Sequence, residues 1–237
     1  MKTIGLLGGM SWESTRDYYS AINRGIKKRL GGLHSARLLL NSVDFAEIEQ
    51  LQHQGDWAGT ARILVDAARQ VEAGGADFLL ICTNTMHKVA PEIQGALNIP
   101  LVHLADATAE KLLQADCQKV GLLGTAFTME QDFYKGRFQE KYGLEVLVPE
   151  AEERAEIHRV IYEELCQGEI HEASRQVFID SIERLAAEGA QAVILGCTEI
   201  ALLVSQQDTK VPLFDTTAIH AEKAVELALA DSEILVE

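Results

Sequence analysis

Short apolar runs alternate with amphipathic stretches along the 237 residues of the chain. The runs are apolar at consecutive positions and are bounded by glycine or proline, which is typical of strands buried on both faces of a parallel sheet. The intervening stretches repeat apolar residues at helical spacing, as at Leu64, Ala67 and Val71. This alternation predicts parallel sheets joined by crossover helices. The predicted strands are 2–7, 36–42, 77–82, 100–103, 119–123, 145–148, 191–195 and 211–214.

The same pattern occurs twice, in the same order. Residues 5–8 and 121–124 both read Gly-Leu-Leu-Gly at an offset of 116, and 75–84 aligns with 189–198 at an offset of 114. Pro-Leu at 100–101 recurs at 212–213, an offset of 112. Three matches in register indicate a duplicated unit. We therefore predict an α/β fold of two similar parallel-sheet lobes related by a pseudo-twofold axis, with the active site in the cleft between them. The first lobe would comprise 1–100 plus 215–237, and the second 101–214.

Charge and composition exclude several classes of partner. The formal net charge is −15, and no basic stripe is present, so nucleic acid and anionic membrane surfaces are not expected as partners. No apolar stretch approaches the roughly 20 residues of a membrane span. The cysteines form no C-x-x-C pair and no zinc spacing, which predicts no metal site and a reduced, cytoplasmic location. They are Cys82, Cys117, Cys166 and Cys197.

Cys197 is the strongest candidate for chemistry. It follows a predicted strand and precedes a helix expected to start near Thr198 or Glu199, and a helix N-terminus favours the thiolate. The repeat pairs Cys197 with Thr83, so two proton-transfer groups are predicted, one in each lobe. Two simpler interpretations stay open: Cys197 as a core cysteine, and Thr83 and Asn84 as residues that cap a helix.

Several neighbours of these residues could assist them. Cys82 is a rival thiol, but alternation along a strand would direct Cys82 and Thr83 to opposite sides. Gly196 would allow a ligand close to the backbone, and the Gly-rich turn at 8–11 could bind a small carboxylate through its N–H groups. Glu199 could orient or deprotonate Cys197, and His87 could support Thr83; either could equally be an ordinary polar residue of a helix.

Three segments carry a family resemblance: Ile4–Met10, Thr83–His87 and Gly196–Glu199. Together they resemble the aspartate/glutamate racemase family of cofactor-independent amino-acid racemases. The resemblance implies two α/β lobes, a homodimer, and no pyridoxal phosphate or metal. It also implies two cysteines on opposite faces of the substrate α-carbon, one removing the α-proton and one supplying another. Cys197 matches the second of these cysteines, whereas Thr83 occupies the position of the first.

The resemblance also implies the substrate class, an amino acid, with aspartate and glutamate as the family default. Acid-specific members often hold the distal carboxylate with basic residues after the second strand, but here 41–47 is acidic, so other polar amino acids stay open. A related lyase or isomerase, acting on a malonate or on maleate, and a non-catalytic two-lobed carboxylate-binding protein are the alternatives. The residues expected around the substrate are Met10, Gln52, Asn84, Thr85, Thr198 and Glu199.

Overall fold

The structure, a computed structural model, describes residues 1–230; the predicted first lobe extends to 237 and so ends outside the described residues. The chain forms two compact units, Met1–Leu104 with the segment that begins at His220, and Ala105–Ile219. The sequence placed the two changes of lobe after residues 100 and 214, whereas the units change after Leu104 and Ile219. Each of these two passages of the chain from one unit to the other lies in the first turn of a helix. No helix among residues 1–230 is long and apolar enough to cross a membrane.

The first unit contains a three-stranded parallel sheet in the order β2-β1-β3. Leu101 forms only an isolated parallel bridge with Leu79 of β3, so the strand predicted at 100–103 is reduced to a single pairing. The elements are β1 Ile4–Gly8, α1 Trp12–Leu30, β2 Leu38–Ser42, α2 Phe45–His53, α3 Trp57–Ala73, β3 Phe78–Ile81, a 3₁₀ helix Thr85–Val89 and α4 Ala90–Gly95.

The second unit contains a four-stranded parallel sheet in the order β5-β4-β6-β7. Its elements are α5 Leu104–Gln114, which starts at the last residue of the first unit, β4 Lys119–Gly124, α6 Ala126–Glu130, α7 Asp132–Tyr142, β5 Glu145–Leu147, α8 Ala151–Glu163, a 3₁₀ helix Leu165–Gln167, α9 Glu172–Ala187, β6 Ala192–Gly196, α10 Ile200–Leu203 and β7 Leu213–Asp215. Helix α11, Thr216–Leu229, then leads back into the first unit.

The two sheets share one topology. In each, the strand nearest the start of the unit is central, the next strand lies on one side and the third on the other. The fourth position holds β7 in the second unit and the bridge at Leu101 in the first. The prediction of two similar parallel α/β units is therefore confirmed, while the pseudo-twofold axis stays a prediction.

Both faces of the first sheet are covered, as the consecutive apolar runs indicated. Alternate residues of β3 enter two separate apolar clusters: Leu79 and Ile81 pack with α3, while Phe78 and Leu80 pack with α1 and α11. The predicted apolar face of α3 is buried in the first of these clusters. In the second unit, the apolar face predicted on α9 is likewise buried, at Phe178, Ile182 and Leu185.

Candidate active site

Cys197 lies directly after β6, at the carboxyl end of a central strand of the second unit. This is the end of a parallel sheet at which ligands bind in open α/β folds. The side chain is 9% exposed. Helix α10 begins at Ile200, with Glu199 at its N-cap position, and has only four residues. The helix thus starts close to the predicted position, but the pKa of Cys197 is raised and not lowered, so the favoured thiolate expected from the helix N-terminus is not found.

The Cys197 thiol is hydrogen-bonded to the Glu199 carboxylate. Its Sγ donates to Glu199 Oε2 at 3.0 Å, and Thr198 Oγ1 donates to the same oxygen at 2.6 Å. All three side chains are buried. Burial, followed by the negative charge of Glu199 and the neighbouring Cys166, raises the pKa of Cys197 well above its usual value. The resting form is therefore a thiol whose proton already points at a carboxylate that can accept it.

The glycine before Cys197 has a packing explanation. A Cβ at Gly196 would lie 2.7 Å from Leu122 Cδ1 and 2.8 Å from the Leu123 carbonyl oxygen. Both atoms belong to β4, against which β6 pairs. Strand packing alone therefore requires glycine here, without the close ligand approach suggested by the sequence.

The glycine-rich turn after β1 is joined to the start of helix α1 by hydrogen bonds. The Gly9 N–H donates to Thr15 Oγ1 at 2.8 Å, and the Ser14 N–H donates to Ser11 Oγ at 3.2 Å. Gly9 has φ +95°, and a Cβ there would overlap the Val43 carbonyl oxygen. The glycine therefore serves a left-handed turn and a close chain approach, and the predicted carboxylate cradle loses at least its Gly9 donor.

Thr83 occupies the equivalent end of β3 in the first unit. It is half-buried, whereas Cys82 beside it is fully buried in the apolar cluster with α1. Cys82 thus packs in the same cluster as Phe78 and Leu80, and burial raises the pKa of Cys82. That Thr83 points to the opposite side stays a prediction. Asn84 takes the N-cap position of the 3₁₀ helix without a side-chain capping bond, so capping does not account for it.

The other predicted site residues divide between the two units. Thr198 and Glu199 stand beside Cys197, as described. Met10 follows the turn after β1 and is packed in the apolar cluster with α3; Gln52 is buried on α2. Asn84 and Thr85 are buried beside Thr83. The roles of these residues toward a substrate stay predictions.

Sequence reasoning missed two features of the site. Cys166, in the 3₁₀ helix Leu165–Gln167, lies close enough to Cys197 to contribute to its raised pKa. Behind Thr83, His87 contacts two further buried histidines, His103 and His220. His87 lies in the 3₁₀ helix that follows Thr83, and no pattern in the chain links it to the other two histidines.

Comparisons with known proteins find relatives that are similar in sequence and fold over nearly the whole chain. The chain is 55% identical to a Yersinia pestis protein proposed to be an Asp/Glu racemase, with a TM-score of 0.91 over 97% of this chain and 100% of that one. An aspartate racemase homologue from Pyrococcus horikoshii OT3 is 38% identical, with a TM-score of 0.84 over 96% and 99%. The broad specificity amino-acid racemase RacX of Bacillus subtilis (strain 168) is 23% identical over 96% of this chain and 98% of its own length.

The family assignment itself rests on most of the chain. The profile of the Asp/Glu/Hydantoin racemase family matches residues 7–224, a span that includes both strand ends described above. The resemblance inferred from three short segments is thereby confirmed. The chain belongs to the Asp/Glu/Hydantoin racemase family and is an enzyme of the isomerase class.

Proposed function

We propose that the chain is a cofactor-independent amino-acid racemase that acts on aspartate and glutamate and accepts other polar amino acids. Cys197 and Thr83 would transfer protons on opposite faces of the substrate α-carbon. The observation that carries the proposal is the buried Cys197 thiol hydrogen-bonded to the Glu199 carboxylate, in a chain of this family. The broad specificity in the name of the Bacillus subtilis relative supports the wider substrate range.

The proposed reaction starts with activation of the thiol. Cys197 passes its proton to Glu199 Oε2, and the resulting thiolate removes the α-proton of the L-enantiomer to leave a carbanion. Thr83 then donates its hydroxyl proton to the opposite face, which gives the D-enantiomer. The Thr83 alkoxide recovers a proton from water, and Glu199 returns its own to solvent, so that the enzyme is restored.

The high pKa of Cys197 affects both the formation of the thiolate and its strength as a base. It keeps the thiolate scarce at neutral pH, but a thiolate from a weak acid is a strong base toward a carbon acid. Thr198 donates a hydrogen bond to the same Oε2 atom of Glu199, which holds in place the oxygen that would accept the thiol proton.

The alcohol on the opposite face limits the rate of inversion. A free thiol ionises near pKa 8.5 and an alcohol near the 15.7 of water, a gap of roughly 7 units. At about 1.36 kcal/mol per unit, the alkoxide costs about 10 kcal/mol more than a thiolate would. The carbanion should therefore return through Cys197 more often than it inverts. Since enantiomers have equal free energies, kcat/KM must still be the same in both directions.

The remaining assignments extend the same proposal. Met10, Gln52, Asn84, Thr85 and Thr198 would surround the substrate, and Glu199 would act beside it through Cys197. The protein would work as a homodimer, as the family resemblance implies. A cytoplasmic location is consistent with its four free cysteines.

Deuterium exchange tests the proposal directly. L- and D-aspartate, L- and D-glutamate and L-homoserine are incubated separately in D₂O, with loss of the α-proton followed by NMR and inversion by chiral chromatography. We expect exchange at retained configuration in the L-enantiomers to outpace inversion, and Cys197→Ser to abolish it. Cys117→Ser, a change at a cysteine outside the site, should leave both rates unchanged.

Three results would contradict the proposal. Exchange in Cys197→Ser as fast as in wild type would remove Cys197 from the chemistry. Loss of carbon dioxide from an aryl-malonate, without exchange of any amino acid, would favour the lyase. Tight calorimetric binding of an amino acid without exchange would favour a binding protein.

A further inference from the structure

Three buried histidines cluster in the first unit, and the proposed reaction does not use them. Of the seven histidines of the chain, His87, His103 and His220 are buried together. The His87 ring centroid lies 4.5 Å from that of His103 and 6.0 Å from that of His220. No group of His, Cys, Asp and Glu within residues 1–230 is arranged to hold a metal ion. Both ring nitrogens of His87 and of His220 lie within hydrogen-bond distance of a backbone or side-chain partner.

The protonation of His220 follows from its two partners. Its Nε2 lies 2.7 Å from the Val102 carbonyl oxygen, which can only accept, so Nε2 carries the proton. Its Nδ1 lies 2.8 Å from the Tyr18 hydroxyl and therefore accepts from it. Burial, with His87 nearby, lowers the pKa of His220 to about 3. His220 is thus a neutral ring against which His87 packs.

His87 is held in one tautomer by the same logic. The Leu104 N–H donates to His87 Nε2 at 3.2 Å, so this nitrogen must present a lone pair. His87 Nδ1 lies 2.8 Å from the Thr83 carbonyl oxygen and must donate to it. A proton on Nε2 would set two donors against each other. The two backbone partners together select the neutral Nδ1–H form.

These bonds hold the turn that carries Thr83. Ser14 Oγ donates to the Cys82 carbonyl at 2.8 Å, and the Cys82 N–H donates to the Leu7 carbonyl at 2.9 Å. His87 holds the next carbonyl, that of Thr83. The backbone of residues 82–83 is therefore fixed through buried partners, and the hydroxyl of Thr83 takes no part in this fixation.

We propose that His87 is a positioning residue for Thr83, one that acts through its neutral Nδ1–H form. By fixing the Thr83 carbonyl it sets the direction in which the Thr83 hydroxyl is presented to the α-carbon. This inference rests on the proposed function, in which Thr83 supplies the proton for inversion. Loss of the bond would impair proton donation from Thr83 and leave proton removal by Cys197 intact.

The experiment compares exchange with inversion in His87 variants. His87→Leu removes both ring bonds, whereas His87→Asn keeps an amide N–H near the Nδ1 position. We expect inversion in His87→Leu to fall at least about tenfold while exchange at retained configuration stays within about threefold, because small misplacements of a reacting group cost this much or more. His87→Asn should recover most of the inversion. His34→Asn, at an exposed histidine, is the control and should match wild type.

A general structural role would lower exchange and inversion together, and that result would overturn the inference. If His87→Leu does not fold, ring ¹⁵N NMR of the wild-type protein, assigned with His87→Asn, decides: an Nε2–H or charged His87 overturns it as well. The NMR measurement needs no substrate. Absence of exchange in wild type with every amino acid refutes the proposed function and the positioning role of His87 together. Wild-type exchange with an unchanged ratio of inversion to exchange in His87→Leu refutes this inference alone.

Discussion

Replacing Thr83 by cysteine would measure what the alcohol costs the enzyme. The side chain is half-buried, and the turn is held through the Thr83 carbonyl by His87. The substitution therefore changes the acid and leaves the backbone support in place. Cys82, next to it, has its pKa raised by complete burial; a thiol at the more exposed position 83 would be less affected.

The size of the effect follows from the difference between the two acids. Complete proton transfer from an alcohol costs about 10 kcal/mol more than from a thiol. If about half of this difference is felt in the transition state, the barrier to inversion falls by about 5 kcal/mol. The corresponding increase in rate is about 10³- to 10⁴-fold, up to the point at which another step limits turnover.

The assay follows inversion and exchange of an L-amino acid in D₂O for the Cys, Ser and Ala variants of Thr83. We expect inversion to be fastest in Thr83→Cys, similar in wild type and Thr83→Ser, and slowest in Thr83→Ala. Exchange at retained configuration should change little, because it depends on Cys197. Inversion in Thr83→Cys no faster than in wild type, or undiminished inversion in Thr83→Ala, would refute the assignment of Thr83 as proton donor.

Three further predictions concern charge and packing. Glu199→Gln should lower the pKa of Cys197, because a negative charge beside the thiol is removed. Alkylation of Cys197 should therefore occur at lower pH. Racemisation should fall by about 10²- to 10⁴-fold, because the proton acceptor is lost. The pKa of His220 is about 3 in the folded state and about 6.5 in the unfolded chain. Between these two pH values only the unfolded state binds the proton, so the protein loses stability as the pH falls below about 6.5. From about pH 7 to about pH 5 the loss should be about 2 kcal/mol greater in wild type than in His220→Gln, measured by urea unfolding. Gly196→Ala should destabilise the protein by about 1–3 kcal/mol through overpacking, whereas Gly136→Ala, in helix α7 with room for a methyl group, should be neutral or stabilising.

Each of these has an outcome that contradicts its reasoning. Unchanged racemisation in Glu199→Gln would mean that the carboxylate does not take the thiol proton. Equal pH dependence of unfolding in wild type and His220→Gln would show that His220 is not held neutral. A Gly196→Ala protein as stable as Gly136→Ala would show that β6 can move away from β4.

Local pattern was sufficient for most of the fold and for selecting the two main candidate site residues. The apolar runs placed seven strands within a few residues, because a strand buried on both faces must be apolar throughout. The internal repeat paired Cys197 with Thr83, and these residues follow β6 and β3, the strands at equivalent positions of the two sheets. The strand expected at 100–103 forms only one bridge, between Leu101 and Leu79. An apolar run predicts that a segment is buried, but not how many of its residues pair with the neighbouring strand.

The direction of the Cys197 pKa shows where local reasoning fails. The position after β6 suggested a favoured thiolate, but the folded chain buries the thiol and directs the Glu199 carboxylate onto it. The acidic neighbour was visible in the sequence. The sequence did not show whether the Glu199 side chain would reach Cys197 Sγ, because that depends on the length of α10 and on rotamers set by packing.

The sequence by itself determined the parallel α/β class, the duplicated unit and the residues at the two strand ends, because short-range periodicity and spacing specify them. It also indicated the family, through the resemblance of three short segments. Only the tertiary structure decided which groups surround those residues. His87, His103 and His220 come together, and Glu199 meets Cys197, through folding of the chain at distances and angles that no local pattern specifies. Hydrogen bonds and burial act over a few ångströms in space, and these set the tautomers and the pKa values on which the proposed reaction depends.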